Sequence, residues 1–469
     1  MSAAALRSLL SEAHVLDGPA ALRAYDCDAY TLDRSPPLCV VLPHTTEEVA
    51  KVVRWCCQNQ VAFAPRGAGT GLSGGALAAT GGVVISTKKM TAILEVDAPN
   101  RCLRAQAGAV NRKLSEAAAP SGLHFAPDPS SQTVSTLGGN IAENSGGPHT
   151  LKYGVTAPHV LALTLVTVEG DVVELGSRVP GRPSPSLTSL VVGSEGTLGI
   201  VTEAWVKLTP LPVAVSTALV AFGSVNAASQ AVADIIASGV IPAALEFMDQ
   251  GILGALRAAF GLTYPEGTDA LLLIECDGLL AHEEMAQAAE ICRSLGALDV
   301  SIAQNEAERQ KLWTARKKGI GAMGRLAPTI VTHDGVIPRS KLPEMLEFVA
   351  AVAAKYNLGC ANLFHAGDGN LHPCFYFDDR EPGIVERVIG AGEEILRRCI
   401  ELGGSVSGEH GIGVEKLDFM PLMFTPEDLE LQGRVKAIFN EGDLGNPCKV
   451  LPNQRGCAEH RLRWRGAAT

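Results

Sequence analysis

Several sequence features that are typical of other classes of protein are scarce in this 469-residue chain. Aromatic side chains make up only 5% of it, and no apolar run approaches the ~18 residues that a membrane-spanning helix needs. The N-terminal apolar stretch is too short for a secretory signal. The twelve cysteines include no C-x2-C pair, so neither a disulfide framework nor an iron–sulfur ligand set is indicated. We therefore expect a chain that crosses no membrane and resides in a reducing cytoplasm.

Positive charge is also in deficit. Lys and Arg number 39 against 50 Asp and Glu, a formal net charge of −11. This balance excludes a general attraction to nucleic acid or to an anionic membrane surface, so an anionic substrate would need a local cluster of cations. With 46% hydrophobic residues the chain can bury large cores, and its length predicts two domains.

Glycine, by contrast, is concentrated in three stretches: PRGAGTGLSGGA at 65–76, STLGGNIAENSGGPHTLKYG at 135–154 and GSEGTLGIV at 193–201. Small residues let backbone N–H groups approach a flat, phosphorylated ligand closely. Because aromatics are few, such a ligand must be held mainly by backbone amides. The three stretches therefore predict a binding site for a large cofactor.

The first stretch contains Gly69-x-Gly71-x-x-Gly74, which matches the dinucleotide-binding fingerprint. The next predicted strand begins only eight residues after Gly75, whereas a parallel crossover needs a dozen or more residues. We therefore interpret the stretch as an anion-binding loop outside any Rossmann unit. A merely flexible loop is the alternative interpretation.

Local patterns predict several regular elements. Apolar spacing and a capping-box start at Thr45 indicate a helix over 45–59, and similar patterns indicate helices over 111–119 and 306–323. Strands are predicted over 61–64, 83–86, 161–168, 200–208 and 271–275. Pro210 and Pro212 predict a hinge, because paired prolines end a strand and stiffen a linker.

The stretch HAGDGNLH at 365–372 carries two histidines around a turn signal. Asp368-Gly369 predicts a two-residue hairpin turn, which would place His365 directly opposite His372. Their Cβ atoms should then lie roughly 4.5–5.5 Å apart. The two imidazoles could therefore bind one divalent cation. Two histidines packed on a strand face are the alternative.

A second short motif, SGEHG at 407–411, supplies a carboxylate and another imidazole. Glu409 is the candidate third metal ligand and His410 the candidate general base. Neighbouring residues on a strand point to opposite faces, so both can act only if this loop is irregular, which Gly408 and Gly411 permit. Zn²⁺ and Mn²⁺ both suit two nitrogens and one oxygen.

Taken in order, RGAGTGLSGGA, GGNIAENSGG with KYG after it, GSEGTLGIVTEAWVKL, HAGDGNLH and SGEHGIG resemble the motifs of FAD-linked oxidases of the vanillyl-alcohol oxidase and p-cresol methylhydroxylase type. Within that family, the chain is most similar to the flavin subunit of glycolate oxidase and to D-lactate dehydrogenases. The resemblance covers about residues 35–455.

This resemblance implies an α+β fold with a bipartite FAD-binding domain of the p-cresol methylhydroxylase type and an antiparallel-sheet substrate domain, or cap. It places the FAD-binding domain, in two subdomains, at 1–212 and the cap at 213–418. Residues 419–455 should return to the FAD-binding domain. Residues 456–469 should form a disordered tail.

The resemblance also implies which residues act. Arg316 would bind a substrate carboxylate with His410 as base, and His365, His372 and Glu409 would hold the metal. An ordinary exposed helix charge is the alternative for Arg316. The residues implied for FAD binding are Arg66, Gly67, Gly69, Thr70, Gly71, Ser130, Thr136, Gly138, Gly139, Asn144, Gly146, Gly147, Tyr153, Gly154, Glu195, Gly196, Ile200 and Asn446.

The activity implied is FAD-dependent oxidation of a small D-2-hydroxy acid, glycolate or D-lactate, to the 2-oxo acid. Residues 65–76 contain no histidine that could carry a covalent flavin, so we expect non-covalent FAD beside a divalent metal, Zn or Mn. Ile320 and Val331 stand where relatives acting on D-2-hydroxyglutarate carry polar residues, which favours a short monocarboxylate. Cys448 departs from the usual glycine of the terminal NPGK-like run.

Other functions stay open. The chain could be an FAD-binding electron-relay subunit without independent turnover, a D-2-hydroxyglutarate-type dehydrogenase or a metal hydrolase. The electron acceptor would be an iron–sulfur subunit, a second flavin subunit, a quinone or a cytochrome. The expected location is the cytoplasm, or the inner membrane's periphery through a partner.

Overall fold

A computed structural model of the chain describes residues 3–179 and 185–452. The predicted tail at 456–469 lies outside the described residues. The chain divides into two compact units. The first unit comprises the described residues of Met1–Gly146, Val155–Leu211 and Glu409–Thr469, and the second comprises Gly147–Gly154 and Pro212–Gly408.

Both units contain α-helices and β-strands. The α-helices of the described residues are α1 Ala4–Leu9, α2 Pro19–Leu22, α3 Thr46–Gln58, α4 Asn111–Ala118, α5 Leu137–Glu143, α6 Thr150–Tyr153, α7 Leu187–Val191, α8 Val225–Ala237, α9 Gln250–Phe260, α10 Ala281–Ser294, α11 Glu306–Met323, α12 Leu342–Lys355, α13 Ile384–Glu401, α14 Met420–Met423 and α15 Pro426–Phe439. The strands are β1 Val15–Leu16, β2 Cys39–Val41, β3 Phe63–Arg66, β4 Val83–Ser86, β5 Ile93–Asp97, β6 Cys102–Gln106, β7 Leu123–His124, β8 Val160–Val166, β9 Val172–Gly176, β10 Ile200–Lys207, β11 Thr209–Pro210, β12 Val215–Phe222, β13 Ala244–Asp249, β14 Ala270–Asp277, β15 Ala297–Ile302, β16 Thr329–Thr332, β17 Gly335–Val336, β18 Gly359–His365, β19 Asn370–Leu371 and β20 Pro373–Phe377. Among the described helices, none is both long and apolar enough to cross a membrane.

The first unit contains two larger sheets and one short ribbon. One sheet has the order β1-β2-β4-β3, the other the antiparallel order β5-β6-β10-β8-β9, and β11 pairs with β7. Helix α3 begins where predicted, because Thr45 Oγ1 accepts the Glu48 backbone N–H at 3.2 Å and Glu48 in turn accepts that of His44. Its buried side chains, including Val49 and Val53, pack with those of β2, β3 and β4.

The expectation for the first glycine-rich loop was partly wrong. Strands β3 and β4 pair in parallel, with Phe63 opposite Val83. The connection to β4 is too short for a parallel crossover only when it is counted from Gly75. The whole of residues 67–82 serves as the crossover, which is long enough for a parallel return. Among these residues, all described, no helix forms, so the segment is a loop as predicted.

The second unit is built on one large antiparallel sheet with the order β15-β12-β14-β13-β18-β19-β17, and β20 pairs with both β18 and β16. Helices α9 and α11 cover part of this sheet. Their side chains Leu253 and Trp313 share a core cluster with Leu271 and Leu363 from the strands. Apolar burial therefore fixes α11, the helix that carries Arg316, against β18, the strand that carries His365.

Candidate active site

The predicted hairpin forms with a different turn. His365 pairs with Asn370, and Asn362 pairs with Pro373, so four residues, 366–369, connect the strands. The prediction that His365 lies directly opposite His372 was therefore wrong by two residues. Of the four loop residues, all described, only Gly369 has a positive φ, at 80°.

The contacts of the loop explain the difference. Asp368 Oδ1 accepts the backbone N–H of Asn370 at 3.0 Å, and Gly369 donates to the Ala366 carbonyl at 3.3 Å. An aspartate that bonds the backbone two residues on favours this wider turn over the two-residue type. A Cβ on Gly369 would lie 2.2 Å from the Ile337 carbonyl oxygen, so only glycine fits there.

The two histidines are neighbours nevertheless. A shift of two residues keeps every side chain on the same face of a strand. The His365 and His372 rings have their centroids 5.2 Å apart and are nearly perpendicular, at 88°. Both side chains are buried. Two imidazoles at this separation suit the nitrogen ligands that Zn²⁺ and Mn²⁺ accept, so the pair fits a metal site.

A buried carboxylate that the sequence reasoning missed lies behind His365. Strand β13 places Glu246 directly opposite His365 on β18, and its Oε1 lies 2.7 Å from His365 Nδ1. Its Oε2 accepts a hydrogen bond from Nε of Arg316. Burial alone would raise the pKa of Glu246, but Arg316 and His365 outweigh it and hold that pKa below its ordinary value. The signal was an acid in the buried interior of the strand ALEFMD, whose other acid, Asp249, stands at its end.

A second buried carboxylate, also missed, lies on the side of His372. Asp334 Oδ1 is 4.0 Å from His372 Nδ1. Both oxygens of Asp334 accept the Gly408 backbone N–H, at 3.1 and 3.0 Å, and Oδ2 accepts the Ser407 hydroxyl at 2.8 Å. A Cβ on Gly408 would meet the Asn370 amide at 2.6 Å. Asp334 thus fixes the chain one residue before Glu409.

Arg316 is not an exposed helix charge. It lies on α11, is 6% exposed, and is held by the fully buried Glu246. Its helix has the predicted bounds, because the Asn305 side chain caps it by accepting the Glu308 N–H at 3.0 Å. Because a guanidinium carries five N–H donors, a bond from Nε to Glu246 is compatible with binding of a second anion through the Nη groups.

Glu409 and His410 belong to the first unit. Their loop is irregular, as their joint use requires, and Gly411 has a φ of 81°. Ser73 Oγ donates to the His410 carbonyl at 2.8 Å. The N–H groups of Ile412 and Gly413 donate to Glu195 at 2.6 and 2.8 Å. The loop is therefore anchored within the first unit.

The glycine-rich stretches meet in the first unit. A Cβ on Gly67 would lie 2.3 Å from Thr136 Oγ1, and one on Gly196 would lie 2.3 Å from the Pro65 ring. The Asn446 side-chain amide donates to the Gly75 carbonyl at 2.9 Å and to the Glu195 carbonyl at 2.6 Å. Parts of all three stretches thus lie close together, as a cradle for a phosphorylated cofactor requires.

The candidate FAD-binding residues fall into both units. Those in the first unit are Arg66, Gly67, Gly69, Thr70, Gly71, Ser130, Thr136, Gly138, Gly139, Asn144, Gly146, Glu195, Gly196, Ile200 and Asn446. Gly147, Tyr153 and Gly154 belong to the second unit. There the Tyr153 hydroxyl donates to Asp277 Oδ2 at 2.5 Å, and Lys152 Nζ donates to the Asp277 carbonyl at 2.6 Å.

Two of these side chains are engaged in internal contacts. Arg66 Nη1 donates to the Cys27 carbonyl at 2.8 Å, and its guanidinium lies over the Tyr25 ring and fills the space beside Gly69. Glu195 accepts the two N–H groups of the 412–413 turn. These contacts shape the loops themselves.

Acidic groups cluster in the first unit. Glu143 closes α5, and a Cβ on Gly75 or Gly411 would lie 2.6 or 2.2 Å from its carboxyl oxygens. Burial, then the charges of Glu195 and Asp28, raise the pKa of Glu143 well above its ordinary value. Burial also raises the pKa of Asp28 to about 6.

Relatives and solved structures agree with this architecture. Residues 37–176 match the family model described as FAD binding domain, and residues 211–450 match FAD linked oxidases, C-terminal domain. The chain is 42% identical over 457 residues to the glycolate oxidase subunit GlcD of Escherichia coli strain K12, covering 97% of this chain and 92% of the relative. It is 34% identical over 429 residues to the D-lactate dehydrogenase of Anaerostipes hadrus, covering 89% and 90%. The substrate-bound crystal structure of p-cresol methylhydroxylase superposes with a TM-score of 0.78 at 16% identity, covering 95% of each chain.

An FAD-binding domain followed by an antiparallel-sheet domain defines a flavin-dependent oxidoreductase, and the predicted α+β fold is confirmed. The chain belongs to the family of FAD-linked oxidases.

Proposed function

We propose that the chain oxidises a small D-2-hydroxy acid, glycolate or D-lactate, to its 2-oxo acid, using non-covalent FAD and a divalent cation. One observation carries the proposal. Glu246 bonds both Arg316, a buried cation suited to a carboxylate, and His365, half of the imidazole pair. An α-hydroxy acid presents a carboxylate and an adjacent hydroxyl, which require those two kinds of group side by side.

The relatives support the substrate class. A glycolate oxidase subunit and a D-lactate dehydrogenase each match nearly the whole chain. Both names specify a short 2-hydroxy monocarboxylate. The D-2-hydroxyglutarate alternative would require a second cation for the distal carboxylate, where Val331 offers a buried apolar side chain.

Each residue then has a defined task. Arg316 binds the substrate carboxylate through its Nη edge. His365, His372 and Glu409 hold the cation, and His410 takes the proton of the substrate hydroxyl. When bound, FAD would supply the hydride acceptor, and the divalent cation would supply a Lewis acid that polarises the substrate hydroxyl.

An electron-relay subunit without its own turnover is the second candidate, since the glycolate oxidase relative is named as a subunit. The two candidates agree on flavin binding and differ in whether the isolated chain reduces its own flavin. In either case we propose an iron–sulfur subunit, a second flavin subunit, a quinone or a cytochrome as the next acceptor. We propose a cytoplasmic location, or attachment to a membrane through such a partner.

Anaerobic flavin bleaching by the purified chain tests the proposal. We expect glycolate or D-lactate to bleach the flavin, and L-lactate and D-2-hydroxyglutarate to do so far more slowly. Heat denaturation should release the FAD into the supernatant, and chelation should stop bleaching until a divalent ion is restored. Flavin that no 2-hydroxy acid bleaches would favour the relay subunit. Full bleaching by metal-free protein would eliminate the metal.

A further inference from the structure

Each of the two neighbouring histidines lies beside a buried carboxylate, but the two carboxylates differ in what else they hold. Glu246 and Asp334 are both fully buried. Glu246 contacts His365 and Arg316, whereas Asp334 lies beside His372 and binds the backbone and hydroxyl of 407–408. One carboxylate therefore joins a histidine to a cation, and the other joins a histidine to a loop.

The position of Glu246 follows from strand pairing. It is the residue of β13 directly opposite His365, and such cross-strand pairs lie close enough for side chains to bond. Its two oxygens are divided between two partners, Oε1 to the imidazole and Oε2 to the guanidinium. Because Glu246 lies at Nδ1, a metal bound at His365 would be bound through Nε2.

From this geometry we propose that Glu246 is a positioning residue that couples metal binding at His365 to carboxylate binding at Arg316. The inference rests on the proposed function. A substrate bound at Arg316 and a cation bound at His365 each favour the same placement of the Glu246 carboxylate. Because coupling between two binding sites is reciprocal, disturbing either partner weakens binding at the other.

Glu246→Gln is the test, with Asp334→Asn as the matched control. Zn²⁺ and Mn²⁺ affinities of the purified flavoprotein are measured by competition with a chelator, and KM is measured at saturating metal. Glu246→Gln should lose about 10–100-fold in metal affinity, the usual effect of removing a carboxylate bonded to a ligating histidine. Asp334→Asn should lose less, because its carboxylate lies 4.0 Å from His372 Nδ1, beyond hydrogen-bond distance. At saturating metal the control should recover a KM within about twofold of wild type, whereas Glu246→Gln should keep a KM raised about 10-fold, because a charge-assisted bond to Arg316 is lost.

A second variant keeps the test decisive if Glu246→Gln folds poorly. Arg316→Lys leaves both histidines untouched, yet the coupling predicts that it lowers metal affinity at least about threefold in the absence of substrate. Flavin content and the melting temperature report folding for each variant. Unchanged metal affinity in Arg316→Lys, or recovery of KM by Glu246→Gln to the level of the control, would overturn the coupling.

Failure of this inference is distinguishable from failure of the proposed function. Wild-type protein that binds no divalent metal, or that oxidises no 2-hydroxy acid, would remove the proposed function and the coupling with it. Wild-type protein that does both, with a Glu246→Gln variant that behaves like Asp334→Asn, would remove the coupling alone.

Discussion

Two buried carboxylates of the second unit differ in their surroundings from two buried carboxylates of the first. In the second unit, Glu246 and Glu275 are each bonded to an arginine and a histidine, and both have a pKa below the ordinary value despite burial. In the first unit, Glu143 and Asp28 lie among other acids, and burial raises the pKa of each. Their bonding partners therefore favour the charged forms of Glu246 and Glu275, whereas burial shifts Glu143 and Asp28 towards their neutral forms.

The difference shows what each set of acids can do. An ionised carboxylate surrounded by donors fixes the position of the cations and imidazoles that bond to it. Glu275 does this most fully, since it accepts from Arg309 at 2.9 and 3.0 Å, from Trp313 Nε1 at 2.7 Å and from Thr217 Oγ1 at 2.6 Å, and lies 3.2 Å from His149 Nε2. Glu143 instead lies close to Gly75 and Gly411, where a Cβ would come within 2.6 and 2.2 Å of its carboxyl oxygens.

The largest effect should come from the metal residues. His365→Ala, His372→Ala and Glu409→Ala should each remove bound metal and reduce turnover about 10³-fold or more, since a Lewis acid contributes several kcal/mol. FAD should stay bound. His410→Ala should lose turnover while retaining most of the metal. Metal content and anaerobic flavin reduction measure both effects. Normal metal content in the two histidine variants would mean that His365 and His372 are packed side chains and not metal ligands.

Next in size is the loss of the Glu275 charge. Glu275→Leu should lower the free energy of unfolding by about 3–5 kcal/mol, because it leaves the partly buried Arg309 without its main partner. Glu306→Gln is the matched control, since its pairing with the same arginine, at 3.1 Å, is exposed and should be worth less than about 1 kcal/mol. Denaturant unfolding followed by fluorescence measures both. Equal effects would mean that burial adds nothing to the pairing.

Glu275 and Asp28 should make the stability of the protein depend on pH in opposite directions. The pKa of Glu275 is lowered on folding, so its contribution is present above about pH 4.5 and is lost as pH falls towards the folded value. The pKa of Asp28 is raised from 3.8 to about 6, so its contribution is present below pH 3.8 and is lost as pH rises through about 6. The Asp28 change is worth at most about 3 kcal/mol. Relative to wild type, Asp28→Asn should therefore raise the melting temperature more at pH 7 than at pH 4. A pH profile of the melting temperature that matches wild type would contradict the raised pKa of Asp28.

The smallest effect concerns the substrate carboxylate. Arg316→Lys should raise KM about 30-fold, because one ammonium cannot reproduce the planar guanidinium fork and a lost contact is worth about 2 kcal/mol. Initial rates with a dye acceptor measure it. Lys317→Arg on the same helix is the control and should leave KM unchanged. An unaltered kcat/KM in Arg316→Lys would assign the arginine to structure alone.

Local chemistry predicted much of the fold. Helix α3 begins where predicted because its Thr45 cap and its apolar spacing are local signals in the sequence. Helix α11 also has its predicted bounds, with the Asn305 cap directly before it. The hairpin register was missed because the turn depends on a side-chain bond from Asp368 and on the neighbouring Ile337 carbonyl, which a dipeptide signal does not contain. Glu246 was missed because strand pairing brings it to His365 from 119 residues away.

The short second-unit segment Gly147–Gly154 has a practical consequence for recombining relatives of this chain. Its His149, Lys152 and Tyr153 bond to Glu275 and Asp277, although the chain on both sides of it belongs to the first unit. In a chimera that exchanged only residues 212–408, strand β14, with positions 275 and 277, would come from one parent and residues 147–154 from the other. Grafts of the second unit should therefore carry residues 147–154 with them as a second, separate cassette.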